Sequence, residues 1–248
     1  MAAPRVIVLR AAGINCEAET LHAWELAGAR GDIVHVNRVL EQPRLLERYA
    51  ALTIPGGFSY GDDIAAGRIL ARRIVRGLGE TISQFRDRGG LVLGICNGFQ
   101  VLVQAGLLRA GDERLATLAF NTCGHYVCRW VTVACAADHC VMLAKGRRYF
   151  LPMAHAEGRI TLPEGGAVDA KRAALRYAAG VERVGEANPN GSWGDLAGLT
   201  DATGRILGLM PHPERYVRRT QHPFWTAGDL PEEGDGLAIF RAAVNAMG

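Results

Sequence analysis

The order of apolar runs along this chain predicts an α/β fold: an open, mostly parallel sheet with helices on both faces and an antiparallel extension. Two observations carry that prediction. In the first hundred residues, short continuous apolar runs alternate with longer amphipathic stretches, the mark of parallel strands buried on both faces. Beyond them the pattern changes to two-residue alternation, which suits antiparallel strands with one covered face. Residues 6–9 form the first strand and 17–28 a helix whose first turn holds Glu17 and Glu19, as the helix dipole prefers. A strand at 32–36, a third at 51–54, a long helix at 69–88 and a fourth strand at 91–95 follow, and 99–108 reads as a helix. Residues 126–134 alternate, 148–154 and 159–162 read as further strands joined by turns, 205–210 is a last strand, and 236–247 a closing helix.

The 248 residues are read as one domain, 1–248, because no linker, repeat or low-complexity tract divides them. A formal charge of +3 is too small and too scattered to argue for a nucleic-acid partner. The most basic stretch, 68–76, has apolar residues interleaved and reads as the solvated face of a helix. The apolar run at 6–9 is far too short for a signal-peptide core or a membrane span, so the expectation is a cytoplasmic protein with no membrane partner. Its six cysteines are then expected as reduced thiols. Cys123, His125, Cys128, Cys135, His139 and Cys140 match no standard metal-ligand spacing and read as small buried strand residues, so no metal site is assigned.

Chemistry concentrates in three segments. In Gly94-Ile95-Cys96-Asn97-Gly98-Phe99-Gln100 a buried strand runs into glycine, cysteine and glycine and then a helix, which places a thiol on a nucleophile elbow. The glycines relieve crowding, and the helix N-terminus favours a thiolate. In Pro211-His212-Pro213-Glu214-Arg215 an imidazole and a carboxylate lie two residues apart, just past a strand end, where open α/β sheets put their active sites. Cys96, His212 and Glu214 together read as nucleophile, base and orienting carboxylate, with pairing of Glu214 to Arg215 as the competing reading. Pro55-Gly56-Gly57-Phe58, after the third strand, offers backbone N–H groups for a developing oxyanion. Tyr60, Asp62 and Asp63 line the mouth of such a site or are plain loop polarity. Cys16 reads as a small residue capping the first helix. His155 and Glu157 bind substrate or partner, or hold a turn; the residues alone leave both open.

The segments 55–63, 94–100 and 211–215 together make the chain resemble the class I glutamine amidotransferases, whose sheet is flavodoxin-like. Within them it is most similar to the glutaminase subunits of phosphoribosylformylglycinamidine synthase. That narrower likeness rests on Gly13-Ile14-Asn15-Cys16-Glu17, Asn97, His155-Ala156-Glu157-Gly158, and residues 190–192 with 195–198. The resemblance implies catalysis by Cys96, His212 and Glu214, an oxyanion hole from the N–H groups of Gly57 and Asn97, and substrate contacts from Gly56, Phe58 and Gln100. It implies L-glutamine as substrate, attacked to give a thioester, with ammonia delivered to a formylglycinamidine ribonucleotide synthetase subunit that works with a small accessory subunit. The chain itself needs no cofactor on this reading; ATP and magnesium belong to the synthetase, and the helix at 68–88 lies where the family meets it. The segment 218–225 is closer to the fused, large form of the synthase. The alternatives are a glutaminase of another amidotransferase pathway and a non-catalytic subunit of the same fold, which would have lost one of Cys96, His212 and Glu214.

Overall fold

A computed structural model describes residues 2–109, 116–180 and 187–248. The chain opens with β1 (Arg5–Arg10), α1 (Glu17–Leu26), β2 (Arg30–His35) and the short α2 (Val36–Glu41). It continues through β3 (Ala51–Ile54), α3 (Arg68–Asp87), β4 (Leu91–Ile95) and α4 (Asn97–Gln104). Next come β5 (Thr117–Ala119), β6 (Val127–Cys135), β7 (Arg148–His155), β8 (Arg159–Thr161) and β9 (Ala173–Ala178). The last elements are β10 (Leu196–Thr200), β11 (Ile206–Leu209) and α5 (Leu237–Ala246). The main sheet has the order β2-β1-β3-β4-β11-β10-β9-β6-β7, while β5 and β8 pair in a ribbon of their own.

The sheet has two halves. From β2 to β11 every pairing is parallel, and from β11 to β7 every pairing is antiparallel. The parallel strands are continuous apolar runs because helices cover both faces, and every residue of β3, β4 and β11 is buried. α3 buries Leu70, Ile74, Leu78 and Ile82, one residue per turn, and leaves Arg68, Arg72 and Arg76 in solvent. This is the solvated basic face that the sequence implies. On the other face α1 inserts Trp24, whose indole N–H donates to Thr53 Oγ1 at 2.9 Å and whose ring meets Phe240 of α5 edge-on at 5.1 Å.

The antiparallel half is wider than the residue pattern suggests, because β9 and β10 give no strand signal. β10 is short and has Gly198 at its centre, which breaks the apolar run, and β9 is rich in alanine. β7 is one of the two edge strands, opposite β2, and its free side is engaged by neighbouring segments. The N–H of Phe150 donates to Asp235 Oδ2 at 2.9 Å, and the carbonyl of Pro152 accepts from the N–H of His212 at 2.8 Å. The segment after residue 216 folds over β6 and β7, where Trp130 stacks on Phe150 at 5.0 Å and His222 packs against both rings.

All six cysteines are free thiols. The expectation of buried strand cysteines needs correction: Cys123 is exposed in the turn before β6, Cys128 is exposed on β6 itself, Cys135 at the end of β6 is half-buried, and Cys140 lies outside any strand. Cys140 is buried, and burial pushes its thiol up to about 11. No helix among the described residues is long and apolar enough to cross a membrane.

The Trp24–Thr53 bond joins α1 to the centre of the sheet. Thr53→Val keeps the volume and strands a buried indole N–H, so it is expected to cost about 1–3 kcal/mol in urea unfolding. Adding Trp24→Phe should make the valine nearly neutral; an undiminished penalty in that background would assign the cost to packing instead.

Candidate active site

β4 delivers its chain straight into Cys96, which adopts φ 51° and ψ −106° before α4 begins at Asn97. A non-glycine residue in that region is strained and persists only when its surroundings impose it. The surroundings here are backbone. A Cβ on Gly98 would lie 1.8 Å from the Ile54 carbonyl oxygen, and one on Gly94 would lie 2.7 Å from that of Gly98. Only glycine fits on either side of the cysteine. The Cys96 N–H donates to the Leu209 carbonyl at 2.8 Å, which pins the elbow to the end of β11, and the thiol points toward the Ala154 carbonyl at 3.7 Å.

β11 brings His212 to the same place. His212 and Glu214 are 2% and 1% exposed, and Nδ1 lies 2.6 Å from Glu214 Oε1. The imidazole therefore holds a proton on Nδ1 toward the carboxylate, and Nε2 is the nitrogen left to exchange a proton with a thiol. Cys96 and Cys16 both lie near enough to this ring to act on its charge. Burial opposes charge on it, but Glu214 and the two thiols outweigh burial and hold His212 well above the ordinary histidine range. The competing pairing of Glu214 with Arg215 is not formed. Arg215 turns outward, with Nε donating to Glu19 Oε1 at 2.7 Å.

The Gly56 carbonyl accepts from the N–H groups of Asn15 and Cys16 at 3.4 and 3.3 Å. The N–H of Gly57, on the opposite side of the same peptide, points the other way, and Gly57 lines the cavity with Cys96. Gly57 sits at φ 141°, and a Cβ there would lie 2.7 Å from the Gly13 carbonyl oxygen. As the first residue of α4, Asn97 has an N–H with no carbonyl behind it in the helix. Gly56 itself stands away from the cavity. It passes over the imidazole, where a Cβ would come within 2.8 Å of His212 Cε1.

The Asn97 side chain ties the two halves of the site. Its Oδ1 accepts from the N–H of Ser59 at 3.1 Å, and its Nδ2 donates to Asp62 Oδ1 at 3.0 Å and to Gln100 Oε1 at 2.9 Å. Leucine could make none of these bonds. Gln100 Nε2 in turn donates to the Glu157 carbonyl, so Gln100 braces the cavity wall it belongs to.

The cavity over Cys96 holds about 290 Å³. Phe58, Asp62, His155 and Glu157 line it, whereas Tyr60 and Asp63 stand outside; Tyr60 accepts from Arg73 of α3. His155 Nδ1 lies 3.1 Å from Asn121 Oδ1, and burial, with repulsion from His212, lowers its pKa from the ordinary 6.5 to about 4. Glu157 accepts the N–H of Ala66 at 3.2 Å, and burial raises its carboxyl. Asn15, Arg215, Phe120 and Tyr126 also line the cavity and were not identified from sequence; for Asn15 and Arg215 the only signal was membership of a motif. Cys16 needs a correction. Although it occupies the first position before α1, it makes no side-chain cap, and its sulfur faces His212 and Arg215.

Comparison with known proteins places the chain in a family. A model of the CobB/CobQ-like glutamine amidotransferase domain matches residues 3–246. The chain is 43% identical to the phosphoribosylformylglycinamidine synthase subunit PurQ of Dehalococcoides mccartyi, covering 98% of both chains. It is 41% identical to the subunit of the same name from Methanococcus maripaludis, covering 97% of this chain and 96% of that one. Among solved structures it resembles one from Thermotoga maritima described as PurLQS, with TM-score 0.76, 31% identity and 98% of each chain covered. A second structure from Thermotoga maritima, a glutamine amidotransferase at 16% identity and TM-score 0.54, shares the fold over 89% of this chain and 79% of its own.

Two outcomes follow from these contacts. Asn97→Leu leaves the buried Ser59 N–H without an acceptor and takes a donor from Asp62 and from Gln100, so it is expected to cost about 1–3 kcal/mol; amide exchange should speed up at residues 57–63 and stay slow in β1. His155 is neutral in the folded protein down to about pH 4, while the unfolded chain takes up its proton near 6.5. The unfolded state thus binds more protons between those values, and stability falls as pH drops through that window, by about 3 kcal/mol in all. Unfolding free energies measured from pH 7 to 4 should show a shallower decline in His155→Gln, and equal slopes would contradict the assignment.

Proposed function

The chain belongs to the glutamine amidotransferases, in the group that serves as glutaminase subunit of phosphoribosylformylglycinamidine synthase, and on that premise we propose how its residues divide the chemistry. It acts in purine biosynthesis with a synthetase partner. Cys96 is the nucleophile, His212 the general base and acid, and Glu214 the residue that orients the imidazole. The observation that carries this reading is the strained, buried Cys96 beside a histidine whose Nδ1 is held 2.6 Å from a buried carboxylate.

The substrate is L-glutamine. Nε2 of His212 takes the Cys96 proton, and the thiolate attacks the side-chain carbonyl carbon. The carbonyl oxygen becomes negative, and the N–H groups of Gly57 and Asn97 receive it. His212 passes its proton to the amide nitrogen, the C–N bond breaks, and ammonia leaves a γ-glutamyl thioester on Cys96. A water then gives a proton to Nε2 as its oxygen attacks the thioester. The C–S bond breaks, the proton returns to sulfur, and glutamate departs. Through both steps Glu214 stabilises the imidazolium and fixes its tautomer, as the orienting acid of a triad does. Phe58 and Gln100 shape the pocket for the substrate. Gly56 serves by lacking a side chain, because a Cβ would strike the His212 ring. Ammonia passes to the synthetase, where the ATP- and magnesium-dependent step takes place, and a small accessory subunit completes the assembly.

Cys96→Ser is expected to lose at least about three orders of magnitude in glutamine-dependent synthesis, because a hydroxyl there is far less ionised. Synthesis from ammonium by the same complex should persist. The check is to measure both rates with synthetase present. Retained glutamine turnover would remove Cys96 from the mechanism, and loss of both activities would point to a broken assembly.

A further inference from the structure

On the Glu214 side of the imidazole lies a second thiol that amide hydrolysis leaves unused. Cys16 is 1% exposed. A Cβ on Gly56 would lie 3.2 Å from its sulfur and 2.8 and 3.4 Å from Cε1 and Nδ1 of His212, so sulfur and ring edge share one small space. One donor atom each from Cys16, His212 and Glu214 lie within 4.8 Å of one another, and no other trio of such residues does so among the described residues. Glu214 Oε1 is bonded to Nδ1, but Oε2 is buried with no partner at all. Burial and the nearby Glu214 raise the Cys16 thiol, so it is a thiol until an ion displaces its proton, while Arg215 donates to the sulfur at 3.1 Å and Glu19 meets the charge of Arg215.

We propose that Cys16, His212 and Glu214 form a binding site for a thiophilic divalent cation of the zinc type, and that such an ion switches the glutaminase off. The donor set suits it. Tetrahedral zinc takes sulfur at about 2.3 Å and nitrogen or oxygen at about 2.0–2.2 Å, which sets neighbouring donors about 3.5 Å apart. The trio reaches that spacing by side-chain shifts of about 1 Å. A thiolate and a carboxylate cancel the double charge of the ion, as a site this deeply buried requires. The unpartnered Oε2 gains a partner. A water fills the fourth position.

Coordination moves two protons. Cys16 gives its thiol proton to solvent, and the Nδ1 proton of His212 moves to Nε2 as the metal takes its place. Nε2 then presents an N–H to Cys96 instead of a lone pair. The thiol of Cys96 keeps its proton, and the nucleophile is silenced without being touched. The switch rests on His212 being the base of the reaction; the ion site does not.

The test uses the full chain with the exposed Cys123 and Cys128 changed to serine and Cys96→Ser added, so that neither surface thiols nor the nucleophile supply sulfur. Cobalt(II) is the probe. One equivalent should produce an intense near-ultraviolet thiolate-to-cobalt band that zinc(II) abolishes by displacement. Adding Cys16→Ser should remove the band, and Cys16→Ser or Glu214→Gln should each weaken zinc binding in calorimetric titration at least about tenfold. No band, or a band that survives Cys16→Ser, overturns the site. In the complex with Cys96 intact, zinc at site-filling concentration should suppress glutamine-dependent synthesis and spare the ammonium-dependent rate. Cys16→Ser should lose that sensitivity relative to its own metal-free rate. Binding without inhibition overturns the switch, and the role of His212 as base is read separately, from metal-free turnover of His212→Asn.

Discussion

The close approach of three strand ends to one helix governs this structure. β3, β4 and β11 converge under the start of α4 with so little room that glycine is required at each. Gly98 lies against the Ile54 carbonyl, Gly94 against Gly98, and a Cβ on Gly208 would meet the Phe99 ring at 2.1 Å. Interiors packed at this density do not yield by small adjustments. The chain leaving β4 has one way to turn, and the positive φ of Cys96 is the geometric result. The strain at the nucleophile is thus held in place by the whole parallel half of the sheet.

From that point order spreads through one carboxamide. Asn97 links the elbow to the Ser59 N–H and to Asp62, and Asp62 accepts the N–H of Gly67 at the start of α3 at 3.1 Å. The Cys96 elbow, the loop that holds Gly57 and the N-terminus of the basic helix therefore share a single hydrogen-bonded unit. A displacement at the head of α3 is felt at the oxyanion loop with only Asp62 and Asn97 between them.

What was legible in the sequence was what is local. The elbow was readable because strand, glycine, cysteine, glycine and helix follow one another without interruption. The parallel strands were readable because burial on both faces leaves an unbroken apolar run. β9 and β10 escaped because β9 is rich in alanine and Gly198 at the centre of β10 interrupts its short apolar run. Cys16 was misjudged for a different reason. Its position before α1 suggests a cap, but its partners are His212 and Arg215, nearly two hundred residues away, and no pattern near Cys16 announces them. Gly56 lies against the imidazole that arrives from β11, a long-range contact that no pattern near Gly56 announces.

β7 carries one more consequence. An edge strand ordinarily offers a row of unpaired backbone groups on which another chain can template itself. Here alternate residues of that row are already engaged: Phe150 through its N–H to Asp235, Pro152 through its carbonyl to His212, and Ala154 through its carbonyl to the Cys96 thiol. Proline at 152 also removes a donor that would have had no partner. The same bonds that seat His212 and Cys96 thus seal this edge of the sheet against intermolecular pairing. Damage that loosens the His212 segment would do more than slow a reaction; it would uncover an adhesive margin, so selection for solubility and selection for turnover act on the same few atoms.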